Sequence, residues 1–414
     1  MSASGNTPSG RRTVVVIGTL DTKGEELGFL RDRLAIGGVA TVLVDVGILG
    51  KPAIEPDVDR HEVAAAIGLE LGEAGSEERG EAVARMGEAA AATVRRLHAE
   101  GRCDGIVGAG GGGNTAIATA AMRALPLGVP KLMVSTLAGE EAGGFVGSSD
   151  ITLVPSVVDV AGLNSILRPV LANAAAAMAG MLKAPPLHEP AGGPRIAATM
   201  FGVTTPCVTT ARALLEERGY EVITFHATGR GGRAMEELIG DGFFAAVLDA
   251  TTTELADEEV GGTLSAGPDR LTAAGAAGLP QVVSLGALDM VNFGAPETIP
   301  ERFEGRLFSA HNPQATLMRT TAEECARIGA DIARKLSAAR GPTALFVPLR
   351  GVSALSGGGR VFDDPDADAA LFAAIRENFA DSVELHEIDA HINDPEFAAA
   401  MALRLADYLG KDQE

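Results

Sequence analysis

Eight residues, Gly108-Ala109-Gly110-Gly111-Gly112-Gly113-Asn114-Thr115, hold the densest chemical signal in the chain. They follow a short apolar run, Gly105-Ile106-Val107, and precede an alanine-rich helical pattern from Ala116 to Leu125. Glycines without Cβ atoms let the backbone come close to a ligand. The N–H groups and positive dipole end of a following helix then aim at a phosphate or carboxylate. Thr115 adds a hydroxyl for that ligand or for its metal. The run is read as neither the dinucleotide-binding fingerprint nor the P-loop, whose last glycine is followed by Lys and Ser/Thr. A tight turn with close helix packing accounts for one or two glycines, but hardly for five in six positions.

Two more loops of the first half end predicted strands. Thr19-Leu20-Asp21-Thr22-Lys23 offers Lys23 as a cation for phosphate and Asp21 as a ligand for a metal or a ribose hydroxyl. With equal weight, Asp21 or Thr22 is a helix N-cap and Lys23 is solvated. Ser135-Thr136-Leu137-Ala138-Gly139 brings two hydroxyls to the same edge. Asp45 reads better as a turn aspartate ahead of Gly47 than as a ribose acceptor. In the second half, Gly229 lies between a strand and a helix with Arg230 and Arg233, a pair able to clamp a substrate carboxylate or phosphate, or else two surface arginines flanking a turn. Arg350 is a further substrate-binding candidate. Asp289, His311 and His391 also lie at predicted strand ends and suit general acid/base work, and their shared placement counts for more than any one of them. Cys207 opens a helix among apolar neighbours and reads as a structural thiol. The spacing shows no recognised metal motif.

The elements that must position these residues alternate regularly. Thr13–Gly18 reads as a buried parallel strand, followed by helical periodicity over 24–36 and a second strand over 39–46. A short helix over 62–67, an acidic, glycine-broken stretch over 68–80 and a longer helix over 81–100 lead to the strand before the glycine loop. Strands are predicted over 131–135 and 151–154, and a long helix over 161–182. The stretch 184–194, rich in proline and glycine, cannot continue a helix or a central strand. We therefore expect a first domain over 1–184, a linker over 185–194 and a second domain over 195–414. In the second, strands over 195–200, 221–226, 244–249, 281–285, 343–348 and 383–388 alternate with helices. Thr321 with Glu324 has capping-box spacing, and Asp394-Pro395 reads as an N-cap with proline at N1. This pattern predicts an α/β protein of two doubly wound, Rossmann-like parallel sheets, with ligand clefts at the carboxyl ends of the strands.

Composition narrows the partners. With 34 basic and 55 acidic residues the formal charge is −21, which repels a polyphosphate backbone, so neither nucleic acid nor an anionic membrane is expected. An anionic ligand must then be held locally, by backbone amides, a few cations or a divalent metal. The polar leader and the lack of a long apolar run predict a cytoplasmic chain. Three scattered cysteines argue against a disulfide framework and against a zinc cluster.

Several long motifs carry a resemblance. Ile17–Glu26, the glycine loop, Gly147–Asp150 with Pro155–Asp159, Met200–Cys207, Phe225–Gly229, Gly286–Gly294, Met318–Thr321 and His391–Asp394 together resemble the family that comprises the ATP-binding domain of the tomato mosaic virus resistance protein and its bacterial and fungal relatives. The resemblance runs from Thr13 to Leu409. It implies a two-domain, usually dimeric α/β protein whose first domain binds ATP with Mg²⁺, through Gly110, Gly111, Gly113 and Thr115 and through Thr19, Asp21 and Thr22. Gly112, Asn114, Lys23, Ser135 and Thr136 complete the expected cofactor site. Asn114 stands where the plant member has glycine, and tolerates the positive φ such a loop would need. The segment 139–144 is more acidic than in the plant member. Three functions follow as expectations: a cytoplasmic ATP-binding enzyme acting on a small anionic metabolite, a nucleotide-independent lyase, isomerase or hydrolase on a sugar acid or phosphate, or a non-catalytic protein that ATP orders for a partner.

Overall fold

The computed structural model describes residues 11–71, 79–139, 143–184, 192–380 and 382–410, so most of the acidic stretch over 68–80, part of 139–144 and most of the expected linker lie outside the described residues. The chain forms two compact units, divided between residues 187 and 188.

The first unit runs β1 (Thr13–Gly18), α1 (Leu20–Ile36), β2 (Ala40–Asp45), α2 (Arg60–Ala65), α3 (Arg79–Ala99), β3 (Gly105–Gly110), α4 (Gly112–Arg123), β4 (Lys131–Ser135), α5 (Gly143–Val146), β5 (Thr152–Pro155) and α6 (Leu167–Lys183). All pairings in its sheet are parallel, in the order β2-β1-β3-β4-β5. Side chains alternate across a strand, so the apolar run of β1 serves two cores. Val14 and Val16 pack with Leu27, Leu30 and Leu34 of α1 and Leu171 and Met178 of α6. Val15 and Ile17 pack with Met86 and Val94 of α3 and Ile117 and Met122 of α4. Each such fully buried side chain stabilises the unit by about 1.5–3 kcal/mol. The predicted helix over 161–182 starts late, at Leu167. Gly162 has φ +77°, and Asn164 Oδ1 accepts from the N–H groups of Ile166 and Leu167, both at 2.9 Å. Such local side-chain bonds set where a helix begins.

The second unit runs β6 (Arg195–Met200), α7 (Thr205–Glu216), β7 (Glu221–His226), α8 (Arg230–Gly240), β8 (Ala246–Thr251), α9 (Glu254–Val260), α10 (Ala273–Ala277), β9 (Gln281–Gly286), β10 (Met290–Phe293), β11 (Phe308–Asn312), β12 (Ala315–Arg319), α11 (Ala322–Ser337), β13 (Thr343–Pro348), α12 (Pro365–Asn378), β14 (Glu384–Ile388) and α13 (Pro395–Gly410). Its six-stranded sheet is also parallel, in the order β14-β13-β9-β8-β6-β7, which repeats the winding of the first unit with one strand more. The predicted capping box closes in both directions, Glu324 N–H to Thr321 Oγ1 at 3.2 Å and Thr321 N–H to Glu324 at 2.8 Å. The sequence reading missed the antiparallel sheet β10-β12-β11, taking 286–294 and His311-Asn312 for strand-end loops. Its strands are four or five residues long, too short for a period to show.

A buried ion cluster ties the loops of this second sheet. The Arg270 side chain has no exposed surface; it forks onto Asp249 and also meets Glu254 at 2.7 Å and Glu236 at 3.2 Å. Removing one member leaves buried charge uncompensated. Arg270→Leu should therefore lower the stability of this unit by about 3–5 kcal/mol, read as the shift of its urea unfolding transition. A loss below about 1 kcal/mol would mean the cluster contributes little beyond a surface pair.

Candidate functional site

Helices α1 and α4 leave β1 and β3 on opposite faces of the first sheet, so the loops behind them part and leave a crevice. There the structure has a cavity of about 220 Å³. Thr19, Asp21, Thr22 and Lys23 line one side, Gly111, Gly112, Gly113 and Asn114 the other, with Ile48, Leu49 and Arg79 at its edge.

What a Cβ would meet sorts the glycines. At Gly108 it would come within 3.1 Å of the Ile17 carbonyl oxygen and 3.0 Å of Met133 sulfur, and at Gly110 within 2.7 Å of the Asn114 side chain. Those two glycines serve packing. At Gly111 the nearest atom is Thr136 Oγ1 at 3.8 Å, at Gly112 a Leu137 methyl at 3.4 Å, and at Gly113 a Val83 methyl at 4.0 Å. None of the three has positive φ, so neither conformation nor crowding asks for glycine there. Gly111 is the N-cap of α4 and supplies no side-chain acceptor to the first N–H groups, which have no partner within the helix. One sequence expectation is corrected here: Gly108, Gly110 and Gly113 do have the spacing of the dinucleotide fingerprint, but the loop follows β3, the third strand, instead of opening the unit.

The other expected residues divide by position. Gly110 ends β3 behind the cavity, and Thr115 is buried with its hydroxyl 2.7 Å from Ser135 Oγ. Ser135 and Thr136 line a neighbouring cavity of about 500 Å³ with Pro155–Asp159. Asn114 is helical and not in positive φ, which corrects the reason given for tolerating it. Its amide is a staple: Oδ1 accepts from Thr19 N–H at 3.1 Å and Nδ2 donates to the Ala109 carbonyl at 2.6 Å, fastening the β1 loop to β3. Neither Asp21 nor Thr22 caps α1, whose N-cap is Thr19. Asp21 Oδ2 instead accepts from Leu49 and Gly50 N–H at 3.0 and 2.9 Å, while its Oδ1 is buried and has no partner. Lys23 donates to the Val160 carbonyl. Asp45 holds Leu20 and Gly47 N–H at 3.0 and 2.9 Å, and its second oxygen is also buried without a partner. Burial raises its carboxyl above the usual range, and the nearby Asp21 adds to this against the two N–H bonds. Arg79, Ile48 and Leu49 were not foreseen, since single residues outside any motif carry no spacing signal.

In the second unit, the glycine turn before α8 is already occupied. Gly229 and Gly232 N–H donate to Glu254 Oε1 at 2.6 and 3.1 Å, so the amide of Gly229, a residue expected to bind substrate, holds a carboxylate of the chain itself. Arg230 and Arg233 are exposed beside it. Asp289 and His391 are brought together through Ser353: its hydroxyl donates to Asp289 Oδ2 at 2.7 Å, and its carbonyl lies 2.8 Å from His391 Nε2. His311 lies exposed on β11 and shares no hydrogen bond with either among the described residues. Arg350 pairs with Asp389 at 2.6 Å on the surface. Cys207 is fully buried, and burial pushes its thiol up to about 12. Among the described residues no group of three or more His, Cys, Asp or Glu could hold a metal. No helix among them is long and apolar enough to cross a membrane.

Comparison with known proteins adds a family. A family model described as the N-terminal domain of an uncharacterised protein family, UPF0261, matches residues 12–186, and the C-terminal domain model of the same family matches residues 193–409. A UPF0261 protein of Clostridium tetani is 48% identical over 402 residues, covering 97% of this chain and all of that protein. One from Rhizobium meliloti is 50% identical over 392 residues, 94% of this chain and 97% of that one. The ToMV resistance protein Tm-1(GCR237) of Solanum lycopersicum is 39% identical over 424 residues, covering 97% of this chain but 56% of the plant protein.

Asp289 gives a signed expectation. Burial, with Asp368 nearby, raises its pKa from 3.8 to about 6 against the Ser353 hydrogen bond and the Arg319 charge. The folded chain thus holds this proton more tightly than the unfolded chain, and the stability so conferred is complete below 3.8 and lost as pH rises through about 6. Asp289→Asn mimics the protonated group. Its urea midpoint relative to wild type should climb between about pH 4 and about pH 7 and then level off, whereas a relative midpoint that falls over that window contradicts the assignment.

Proposed function

The chain belongs to the UPF0261 family, and from that premise we propose that its first unit binds a nucleotide, ATP with Mg²⁺, by the phosphates, in a cytoplasmic homodimeric enzyme whose second unit recognises a small anionic metabolite. The observation that carries the nucleotide reading is the row Gly111-Gly112-Gly113. Three glycines that the fold does not require stand at the uncapped start of α4, in the crevice where the strand order reverses. Space kept clear at a helix N-terminus suits a ligand that brings oxygens to the backbone N–H groups. The ATP identity, the dimer and the Mg²⁺ rest on the resemblance of the motifs to the ATP-binding domain family.

The chain's own groups fit such a guest. Phosphate oxygens would accept from the first N–H groups of α4, with Lys23 and Arg79 supplying positive charge at the edge. This local arrangement works against a net charge of −21. Leu49, 52% exposed at the cavity edge, offers with Ile48 an apolar surface for a base. Asp21 Oδ1, buried and unpartnered, is an acceptor waiting for either a ribose hydroxyl or a cation. Mg²⁺ is usually held by one or two carboxylates plus the substrate's phosphates, so a single Asp21 suffices on the protein side. When bound it would neutralise phosphate charge.

Calorimetry on the full chain tests this. ATP with Mg²⁺ should bind saturably, and Gly111→Val should weaken it by about tenfold or more, ~1.4 kcal/mol, by filling the cavity without disturbing the fold. Asp21→Asn should reduce the gain in affinity that Mg²⁺ confers. No binding, or equal binding by Gly111→Val, removes the reading. A response to inorganic phosphate or a sugar phosphate with none to ATP would favour a nucleotide-independent enzyme.

A further inference from the structure

The antiparallel sheet β10-β12-β11 has two outer edges, and the chain treats them differently. Opposed residues of an antiparallel pair alternate between bonded and unbonded, and the unbonded ones turn N–H and C=O to the other side. Thr320 N–H donates to the Asp289 carbonyl at 3.2 Å, just ahead of β10, and Arg319 N–H donates to the Leu307 carbonyl at 2.9 Å, just ahead of β11. Continued along the registers, these bonds leave Asn292 unbonded opposite Leu317 on one side of β12. On the other side Phe308 is unbonded opposite Met318, and Ala310 opposite Thr316.

At the β10 edge the outward groups of Asn292 are met inside the fold. Asp257 Oδ1 accepts its N–H at 3.0 Å, and Thr263 N–H donates to its carbonyl at 2.8 Å. Met290, the other outward residue of β10, is fully buried. The β11 edge is different: among the described residues no hydrogen bond meets the outward groups of Phe308 or Ala310. Leu307 is 50% exposed, and Ala310, His311 and Asn312 are exposed as well. An edge with free N–H and C=O groups is a template for another strand, and no lysine, proline or carboxylate interrupts 307–312. A bulge after Ala310 takes His311 out of register, and Pro313 follows, which confines the template to a few residues.

We propose that β11 pairs with β11 of a second copy of the chain, antiparallel about a two-fold axis at Ser309. The spacing is self-complementary. Phe308 of one copy comes opposite Ala310 of the other, each such pair exchanging both N–H···O bonds, and the two Ser309 side chains stand opposed at the axis. Charge selects the occupant. Each copy carries −21, so two copies approach only where their surfaces are free of charge. Residues 307–318 contain neither acid nor base, the neutral window that such an approach needs, and they offer nothing to a charged peptide. With the β10 edge buried, pairing leaves this sheet no further edge, and the assembly closes as a dimer instead of growing into a filament. The inference rests on the reading of the chain as a homodimer, and supplies the surface. It places His311 beside an interface.

Sedimentation of the full chain over a concentration series tests it. The wild type should be a dimer. Ala310→Pro removes an outward N–H without touching a bond to β12, and should raise the dimer dissociation constant about tenfold or more. Ser309→Asp and Ser309→Lys each oppose like charges at the axis and should weaken the dimer too, while an equimolar mixture of the two should associate again. A monomeric wild type removes the dimer reading and this surface with it. A dimeric wild type whose Ala310→Pro and Ser309→Asp variants associate equally well overturns the surface alone. Should Ala310→Pro lose its circular dichroism signal, the Ser309 variants decide, and no recovery on mixing them overturns the pairing.

Discussion

In a parallel sheet wound in both directions from one strand, neighbouring loops at the point of reversal are drawn to opposite faces, and the gap between them cannot be closed by the helices that follow. Everything else in the first unit depends on that constraint. The order β2-β1-β3 sends α1 to one face and α4 to the other, leaving the ends of β1 and β3 as walls of a crevice. The walls are then fastened. Asn114 bridges them by two hydrogen bonds, and Asp45 and Asp21 hold the loop after β2 against the start of α1. The crevice is therefore a rigid opening, a suitable frame for preorganised backbone donors.

The second unit obeys the same winding and uses it differently. Between β6 and β8 the hydroxyls of Thr204 and Thr251 meet at 2.7 Å, and Thr199 donates to Asp249 at 2.6 Å. Beside them Glu254 takes the glycine-turn amides while Arg270 balances three carboxylates. Where the first unit leaves the first N–H groups of α4 without a side-chain acceptor, the second satisfies its turn amides internally, and a cavity lies farther along the sheet, at β13 and β14. One topology thus carries a cavity at the reversal of the first sheet and a web of internal hydrogen bonds at that of the second, decided by a handful of side chains.

Much of the architecture was legible because apolar runs such as Val14–Ile17 must be buried on both faces, and only a parallel sheet covered by helices does this. Start and stop signals were equally readable where one residue pair carries the bond, as at Thr321 and Glu324. The antiparallel strands over 290–319 were not, being too short for periodicity to emerge. Of the site, the glycine row and the Thr19–Lys23 loop were visible as composition. Arg79 and Leu49 carry no local pattern, and enter only because folding brings them to a cavity edge.

By itself the amino-acid sequence determined the alternation of strands and helices, the glycine loop between β3 and α4 and the family, since each follows from local pattern or extended motif. Tertiary structure alone decided which glycines are free of any packing duty, that Glu254 fills the turn at Gly229, and that Ser353 stands between Asp289 and His391. Those outcomes depend on distances between residues up to tens of positions apart, and no period or spacing along a chain encodes whether a donor will find its acceptor within the fold or be left facing open space.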